Sequence, residues 1–366
     1  LPAELPAAPR VVWEEQVAAS GLAGIAANER YVLLAERDID DLQDVFRCLD
    51  AATGRTLWQV QQIGIGQLDY GNSPRATPCL LDETAIFLGA FGGLQCVRLA
   101  DGKTLWSHNL RDEFNVTAEL PWGYCGSPLV CDDKVIVQAG GEQASLVAFD
   151  LATGNVVWKT PGAAPSYGSL IVATLGGKRQ IVGHDADSLG GWDVKTGERL
   201  WRLQPATPGD FNVPTPIAFD GNLLVCTENN GTRLYGFTAD GKIEPQFKLL
   251  NAKLAPDMST PVVVGKRLFC VNKFLYCLDM ADNLHEVYRQ RDPALSEYAA
   301  ILADDQRLLI IGKGELLLAA ADTDQFKLLS RLRIFDDEEP LYSYPALVGN
   351  RLYIRGEHTL RCVELW

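Results

Sequence analysis

The sequence predicts an all-β fold, an eight-bladed β-propeller of four-stranded antiparallel blades, on three observations. An 11-residue pattern recurs along the chain, short β-rich runs fill the intervals, and the two chain ends carry complementary pieces of one repeat. The pattern reads CLDAATGRTLW at 48–58, CVRLADGKTLW at 96–106, AFDLATGNVVW at 148–158 and GWDVKTGERLW at 191–201. It decays through YGFTADGKIEP at 235–245, CLDMADNLHEV at 277–287 and LAAADTDQFKL at 318–328, and the chain stops inside an eighth copy, CVELW at 362–366.

Each copy reads as two strands about a tight turn. Gly54, Gly102, Gly154, Gly197 and Gly241 sit where the backbone needs positive φ. Asn283 and Asp324 replace that glycine later on, as the side chains that best tolerate the left-handed region. Two more β-rich runs precede each copy, such as SPLVCDD then KVIVQAG, so one repeat supplies four strands, A to D. Copies start 41 to 52 residues apart, one blade each, with no room for a helix.

The eighth copy ends before its fourth strand, while RVVWEEQV (10–17) has no partner of its own and places Trp13 where the repeat expects Trp. Residues 10–17 are therefore expected to complete the last blade, whose strands A to C lie in 341–366, sealing the ring and removing an open sheet edge. The whole of 1–366 reads as a single domain with 1–9 as an N-terminal lead. Trp13, Trp58, Trp106, Trp158 and Trp201 close strand D and are expected to wedge between blades as structural groups.

Net charge is −14, from 47 acidic and 33 basic residues, and an acidic surface gains nothing from counterion release, so nucleic acid is excluded as a partner. No apolar run is long enough to span a bilayer as a helix. The chain opens at Leu1 with a Pro- and Ala-rich lead, as expected of a processed or trimmed product, and the missing signal says nothing about its compartment. The nine cysteines include no CxxC and no adjacent pair. Cys48, Cys96, Cys277 and Cys362 share one repeat position and read as small core groups. Cys270 and Cys277 could face each other across a hairpin, but a disulfide there is not expected.

The AxDxxTGxxxW pattern resembles the pyrroloquinoline quinone (PQQ) repeat of bacterial propellers, over essentially the whole chain. That family includes quinoprotein alcohol dehydrogenases, which use PQQ and calcium, and a cofactor-free scaffold lipoprotein of the outer-membrane β-barrel assembly machinery. The stretch WGYCGSPLV followed by GGEQASLVAFDLATG looks most like exported members of unassigned role. The resemblance implies a periplasmic or otherwise exported protein. The quinoprotein enzymes cover their cofactor with an adjacent-cysteine disulfide and carry insertions between blades, and this chain has neither. PQQ and calcium are therefore not expected, and the reading is a monomeric binding or scaffold module for an unknown protein or small-molecule ligand, with a PQQ-dependent dehydrogenase as the alternative.

In a propeller, the D-to-A connections and B-to-C hairpins share the face around the axial funnel. The connections supply Tyr70, Asn72, Arg75, Trp122, Tyr124, Cys125, Tyr167, Tyr298 and Tyr344 as candidates. The five tyrosines precede strand A and either fill gaps near the axis or line a pocket. Trp122 is the lone tryptophan in such a connection, and Cys125 is the best placed thiol for reactivity. The hairpins add His184, Asn229, Lys273, Lys313 and Arg355. His184, Asp185 and Asp187 form a weak metal candidate without a second cluster at ligand spacing. DIDDLQD (38–44) reads as an exposed acidic turn, lacking the Gly and closing Glu of a calcium loop. No GxSxG occurs, and the four histidines fall in different blades.

Overall fold

The computed structural model describes residues 1–18, 21–336 and 341–366. Its strands form eight four-stranded antiparallel sheets, seven of them built from consecutive strands. In the eighth, Ala346–Val348, Arg351–Arg355 and Thr359–Glu364 are completed by Arg10–Gln16 from the other end of the chain, with Trp13 opposite Cys362. The fold class and the closure by the N-terminal strand are those read from the sequence. The lead ahead of that strand is tied to blade 7: the Leu1 amino group meets Asp304 at 2.8 Å, and Leu5 N–H donates to Ser330 Oγ.

The repeat encodes its own turn. Asp50 Oδ1 accepts from the N–H of Ala52 and Thr53 and from the Thr53 hydroxyl, while Gly54 N–H donates to the Asp50 carbonyl at 2.8 Å with φ at 74°. Asp150 with Thr153 and Asp193 with Thr196 repeat the device. Blade 2 lacks the aspartate, and Arg98 instead pairs with Asp101 across its turn. Asn283 takes φ 48°. Asp324 differs from expectation: it is not among the left-handed residues, and it accepts from Arg267 of the preceding blade while Thr323 closes the turn onto the Gln325 carbonyl.

Strand D is bulged against strand C in most blades, for example between Cys48 and Leu49 and between Cys96 and Val97. The register sets a small residue opposite each aromatic: Cys48 with Trp58, Cys96 with Trp106, Ala148 with Trp158, Gly191 with Trp201, Cys277 with Tyr288. The recurring cysteines are therefore core residues chosen for size. Cys277 pairs with Phe269, and Cys270 with Tyr276, so the two thiols point to opposite faces of their hairpin, and both are free. They therefore do not face each other.

All five tryptophans reach into the next blade, Trp201 against Phe237 at 5.6 Å and the other four over its turn glycine. A Cβ on Gly54 would stand 2.6 Å from the Trp13 ring, with Gly102 meeting Trp58, Gly154 meeting Trp106 and Gly197 meeting Trp158 in the same way. Each indole N–H donates to a carbonyl of that same turn: Ala51, Leu99, Leu151 and Val194. Trp201 departs from the series. Its N–H stays in its own blade on Gln180 Oε1, because the blade-5 turn closes earlier, with Gly241 N–H on Thr238 O. One apolar layer fills each gap between neighbouring blades, such as Leu88, Cys96, Trp106, Val135 and Phe149 between blades 2 and 3. Two short helices, Leu110–Glu113 capped by Asn109 and the 3-10 turn Pro293–Leu295, occupy connections where the repeat spacing led us to expect none.

Candidate functional site

The D-to-A connections deliver the chain to strand A, and the A strands of neighbouring blades lie side by side. Where strand A begins, hydroxyls link five successive blades. Thr77 N–H donates to Ser127 Oγ (3.0 Å), Ser127 N–H to Ser169 Oγ (3.1 Å), Ser169 N–H to Thr215 Oγ1 (3.2 Å) and Thr215 N–H to Thr260 Oγ1 (3.1 Å). This ladder supplies a common ruler for three of the five tyrosines. Tyr124 lies three residues before Ser127, Tyr167 two before Ser169, and Tyr70 seven before Thr77. They do not form one ring. Tyr70 is 81 % exposed at a loop tip with φ 63°, whereas Tyr124 is buried with its hydroxyl on the Ala139 carbonyl. Tyr298 and Tyr344 pack edge to face at 6.3 Å, with Tyr342 beside Tyr298.

Trp122 is held edge-on by Tyr167 at 4.8 Å and Phe211 at 4.3 Å, so three successive connections contribute one ring each to a cluster. Its indole N–H is buried with no acceptor among the described residues. Cys125 Sγ donates to the Trp122 carbonyl at 3.3 Å, and burial pushes its thiol up to about 12, the opposite of an activated nucleophile. Arg75 is committed to the carbonyls of Asp69, Gly71 and Ser73 within its own loop.

Beside this cluster, hairpin 38–42 and connection 63–72 are knitted into one body. Arg37, 4 % exposed, binds Asp44 at 2.8 Å, Asp41 at 2.7 Å and the Gly64 carbonyl, and lies 5.2 Å over the Phe91 ring. Asn72 Nδ2 donates to Asp41 Oδ2 (2.7 Å) and the Gly66 carbonyl, and Gly64 N–H donates to Leu42 O. Asp44 is 1 % exposed and also accepts from Ala90 N–H, so the acidic turn read at 38–44 is buried at its last residue. The two segments that this buried clamp ties together carry Ile39 (88 % exposed), Ile63 (78 %), Ile65 (73 %) and Leu42. We refer to this surface as the apolar crest. Sequence reading missed it, although Ile39, Leu42 and Ile65 in connecting loops and Ile63 at the end of its strand are its signal.

The remaining candidates are dispersed. Lys273 is exposed at a hairpin tip with φ 61°, Lys313 pairs with Glu297 at 3.2 Å, and Arg355, 1 % exposed, donates to the Ala35 carbonyl. His184 is buried between blades 4 and 5, and burial lowers its pKa to about 4. Asp185 turns away to Arg199 (2.7 Å) and Ser188, and Asp187 is exposed near Arg202, so the three do not converge as ligands. Asn229 is exposed, with its N–H on Asp210 Oδ1. Asp210, Asn212 and Arg233, which line a cavity with His184, are residues that motif reasoning passed over.

PQQ requires cations for its three carboxylates, stacking surfaces on both faces of a flat ring and, with it, an oxygen cage for calcium. Arg75, Lys313 and Arg355 are each committed elsewhere, and the rings about Trp122 meet it edge-on rather than leaving a slot. The candidate residues do not fit that cofactor.

Eight four-stranded sheets in a closed ring, built on one repeat whose Asp-turn-Trp form is complete in blades 1, 3 and 4 and decays in the others, define a PQQ-repeat β-propeller. The chain belongs to the family described as outer membrane protein assembly factor BamB, whose model matches residues 6–120 and 115–284. Among solved structures it is similar to BamB from Moraxella catarrhalis, with a TM-score of 0.66 at 14% identity, covering 98% of both chains. It is similar in fold to the quinohemoprotein alcohol dehydrogenase from Comamonas testosteroni, with a TM-score of 0.66 at 12% identity over 98% of this chain and 76% of that one. A curated relative is lupanine 17-hydroxylase [cytochrome c] of a Pseudomonas species, 25% identical over 201 residues; the match takes in 50% of this chain and only 28% of that protein.

Proposed function

We propose that this propeller is a non-catalytic docking scaffold that works outside the cytoplasm in outer-membrane protein assembly, and that its docking surface is the apolar crest. One observation carries this: Ile39, Ile63 and Ile65, each more than 70 % exposed, are held on a rigid base by the buried Arg37–Asp44 pair. Apolar side chains offered to water on a fixed support are the mark of a protein interface. Asp40, Asp41 and Asp69 rim the crest, so its partner is a protein with an apolar strip flanked by lysine or arginine. Anionic lipid is disfavoured by the same rim and by the net charge of −14.

The test is complementation. Deleting the gene is expected to lower the amount of outer-membrane β-barrel proteins in the cell that encodes it, and the wild-type chain is expected to restore them. Ile39→Lys combined with Ile65→Lys should fold with an unchanged melting temperature and fail to restore, whereas Leu57→Lys, an exposed site on the outer strand of blade 1, should restore fully. Full restoration by the crest variant refutes the docking surface. A deletion without effect on those proteins, together with dye reduction by an alcohol after loading with PQQ and calcium, refutes the scaffold reading altogether.

A further inference from the structure

Arg233 occupies a place that the repeat reserves for a large apolar side chain. Two residues before the start of each copy, the other seven blades carry Phe46, Leu94, Leu146, Leu189, Leu275, Leu316 and Leu360, all buried in strand C. Arg233 is itself only 7 % exposed. Its guanidinium donates to Thr227 Oγ1 at 2.7 Å and to the Tyr235 hydroxyl at 3.3 Å, and the Tyr235 ring lies 5.9 Å away. All these partners are neutral. Nε is buried without an acceptor, and no carboxylate pairs with the group among the described residues. A buried cation without a counter-ion is strongly unfavourable, and seven sister blades solve the same packing problem with leucine or phenylalanine.

A second observation lies alongside. Arg233 lines a cavity of about 20 Å³ between blades 4 and 5, together with His184, Asp210, Asn212 and Tyr235. His184 is 5 % exposed, and its Nδ1 is a second buried polar atom without a partner. Burial, with Arg233 beside it, keeps this imidazole neutral through the physiological range, so Nδ1 is free to carry the ring proton and donate it. Asp210 is on the same wall, but its oxygens hold Asn229 N–H (2.7 Å) and Asn230 Nδ2 (2.6 Å) of the neighbouring hairpin. The room suits one water or one ion of similar size. Water would satisfy the donors but bring no negative charge against the guanidinium, with which Asp210 makes no ion pair.

We propose that this cavity is a binding site for a single small monoanion of halide size, held between Arg233 Nε–H and His184 Nδ1–H. The occupant bears on the aromatic cluster, because Asp210 and Asn212 flank Phe211, the residue set against Trp122. Its binding anchors that connection to blades 4 and 5.

The test uses the whole chain, purified without halide. Crystals soaked in sodium bromide are expected to show an anomalous bromine peak within hydrogen-bond reach of Arg233 Nε and His184 Nδ1. At constant ionic strength, bromide and chloride should raise the melting temperature saturably, formate less so, and sulfate not at all. Arg233→Leu, which restores the residue of the other blades, should fold and lose both the peak and the rise. A cavity filled by water in the bromide soak, bromine confined to the outer surface, formate equalling bromide, or an undiminished rise in Arg233→Leu each overturns the proposal. The wild-type soak decides the matter even if the variant does not fold.

Discussion

Trp106→Ala probes how the blades are held to one another. The side chain is 8 % exposed, stacks on Phe149 at 6.1 Å, and donates to the Leu151 carbonyl of the next blade at 2.8 Å. A buried indole removes roughly 150–250 Å² from water, which at about 25 cal/mol per Å² is roughly 4–6 kcal/mol gross. Alanine keeps part of that area and the gap relaxes in part, so a loss of about 3–5 kcal/mol is expected. Trp106→Phe keeps most of the area and orphans the Leu151 carbonyl, for about 1–2 kcal/mol. Gly154→Ala separates two effects at the same contact. Its φ of 74° strains any L residue by about 1–2 kcal/mol, and its Cβ would also stand 2.6 Å from the Trp106 ring. With Trp106 already removed the collision vanishes and only the strain remains, so the double variant should be more stable than the sum of the singles. Urea unfolding followed by far-ultraviolet circular dichroism measures the wild type and all four variants. A loss below about 1 kcal/mol for Trp106→Ala, or additivity within about 0.5 kcal/mol, refutes the docking argument.

Two further outcomes are expected. Burial outweighs the bonds from Arg37 and Ala90 and pushes Asp44 up to about 6, above its ordinary 3.8, so its contribution to stability is full below about pH 4 and is lost as pH rises through about 6. Asp44→Asn should remove about 1.4 kcal/mol per pH unit from the slope of unfolding free energy across that window, and equal slopes in the two proteins refute the shift. Burial also raises all nine thiols, including Cys125. Ellman's reagent at pH 8 should leave the native chain essentially unlabelled and count nine thiols in denaturant; prompt native labelling that is lost in Cys125→Ser would contradict the burial.

Much of the architecture was legible because each blade repeats the same local instructions. Asp50, Thr53 and Gly54 close their turn through bonds within five residues, and Trp58 follows at a fixed distance, so the motif is visible without knowing what surrounds it. The unpaired RVVWEEQV at one end and the missing strand at the other were legible for the same reason. The candidate site was much less so. Hairpin charges are solvated by default, yet Arg37, Asp44 and Arg355 are buried, because whether a tip is wet depends on which neighbouring connection folds over it. Tyr70, Tyr124 and Tyr167 do not align by their place before strand A because the connections differ in length, and the hydroxyl ladder supplies their register.

Trp122 shows where the division falls. By itself the sequence determined that Trp122 lies in the connection entering blade 3 and that no repeat position explains it, since repeat register is carried by near-neighbour turn chemistry. That Tyr167 and Phe211, from the next two connections, close on its edges was decided only by the ring geometry that brings three distant loops together. The same holds for Arg233. Its departure from a run of leucines is written in the chain, whereas the absence of a counter-ion and the cavity beside His184 exist only once blades 4 and 5 are packed, because burial and pairing are properties of space rather than of order.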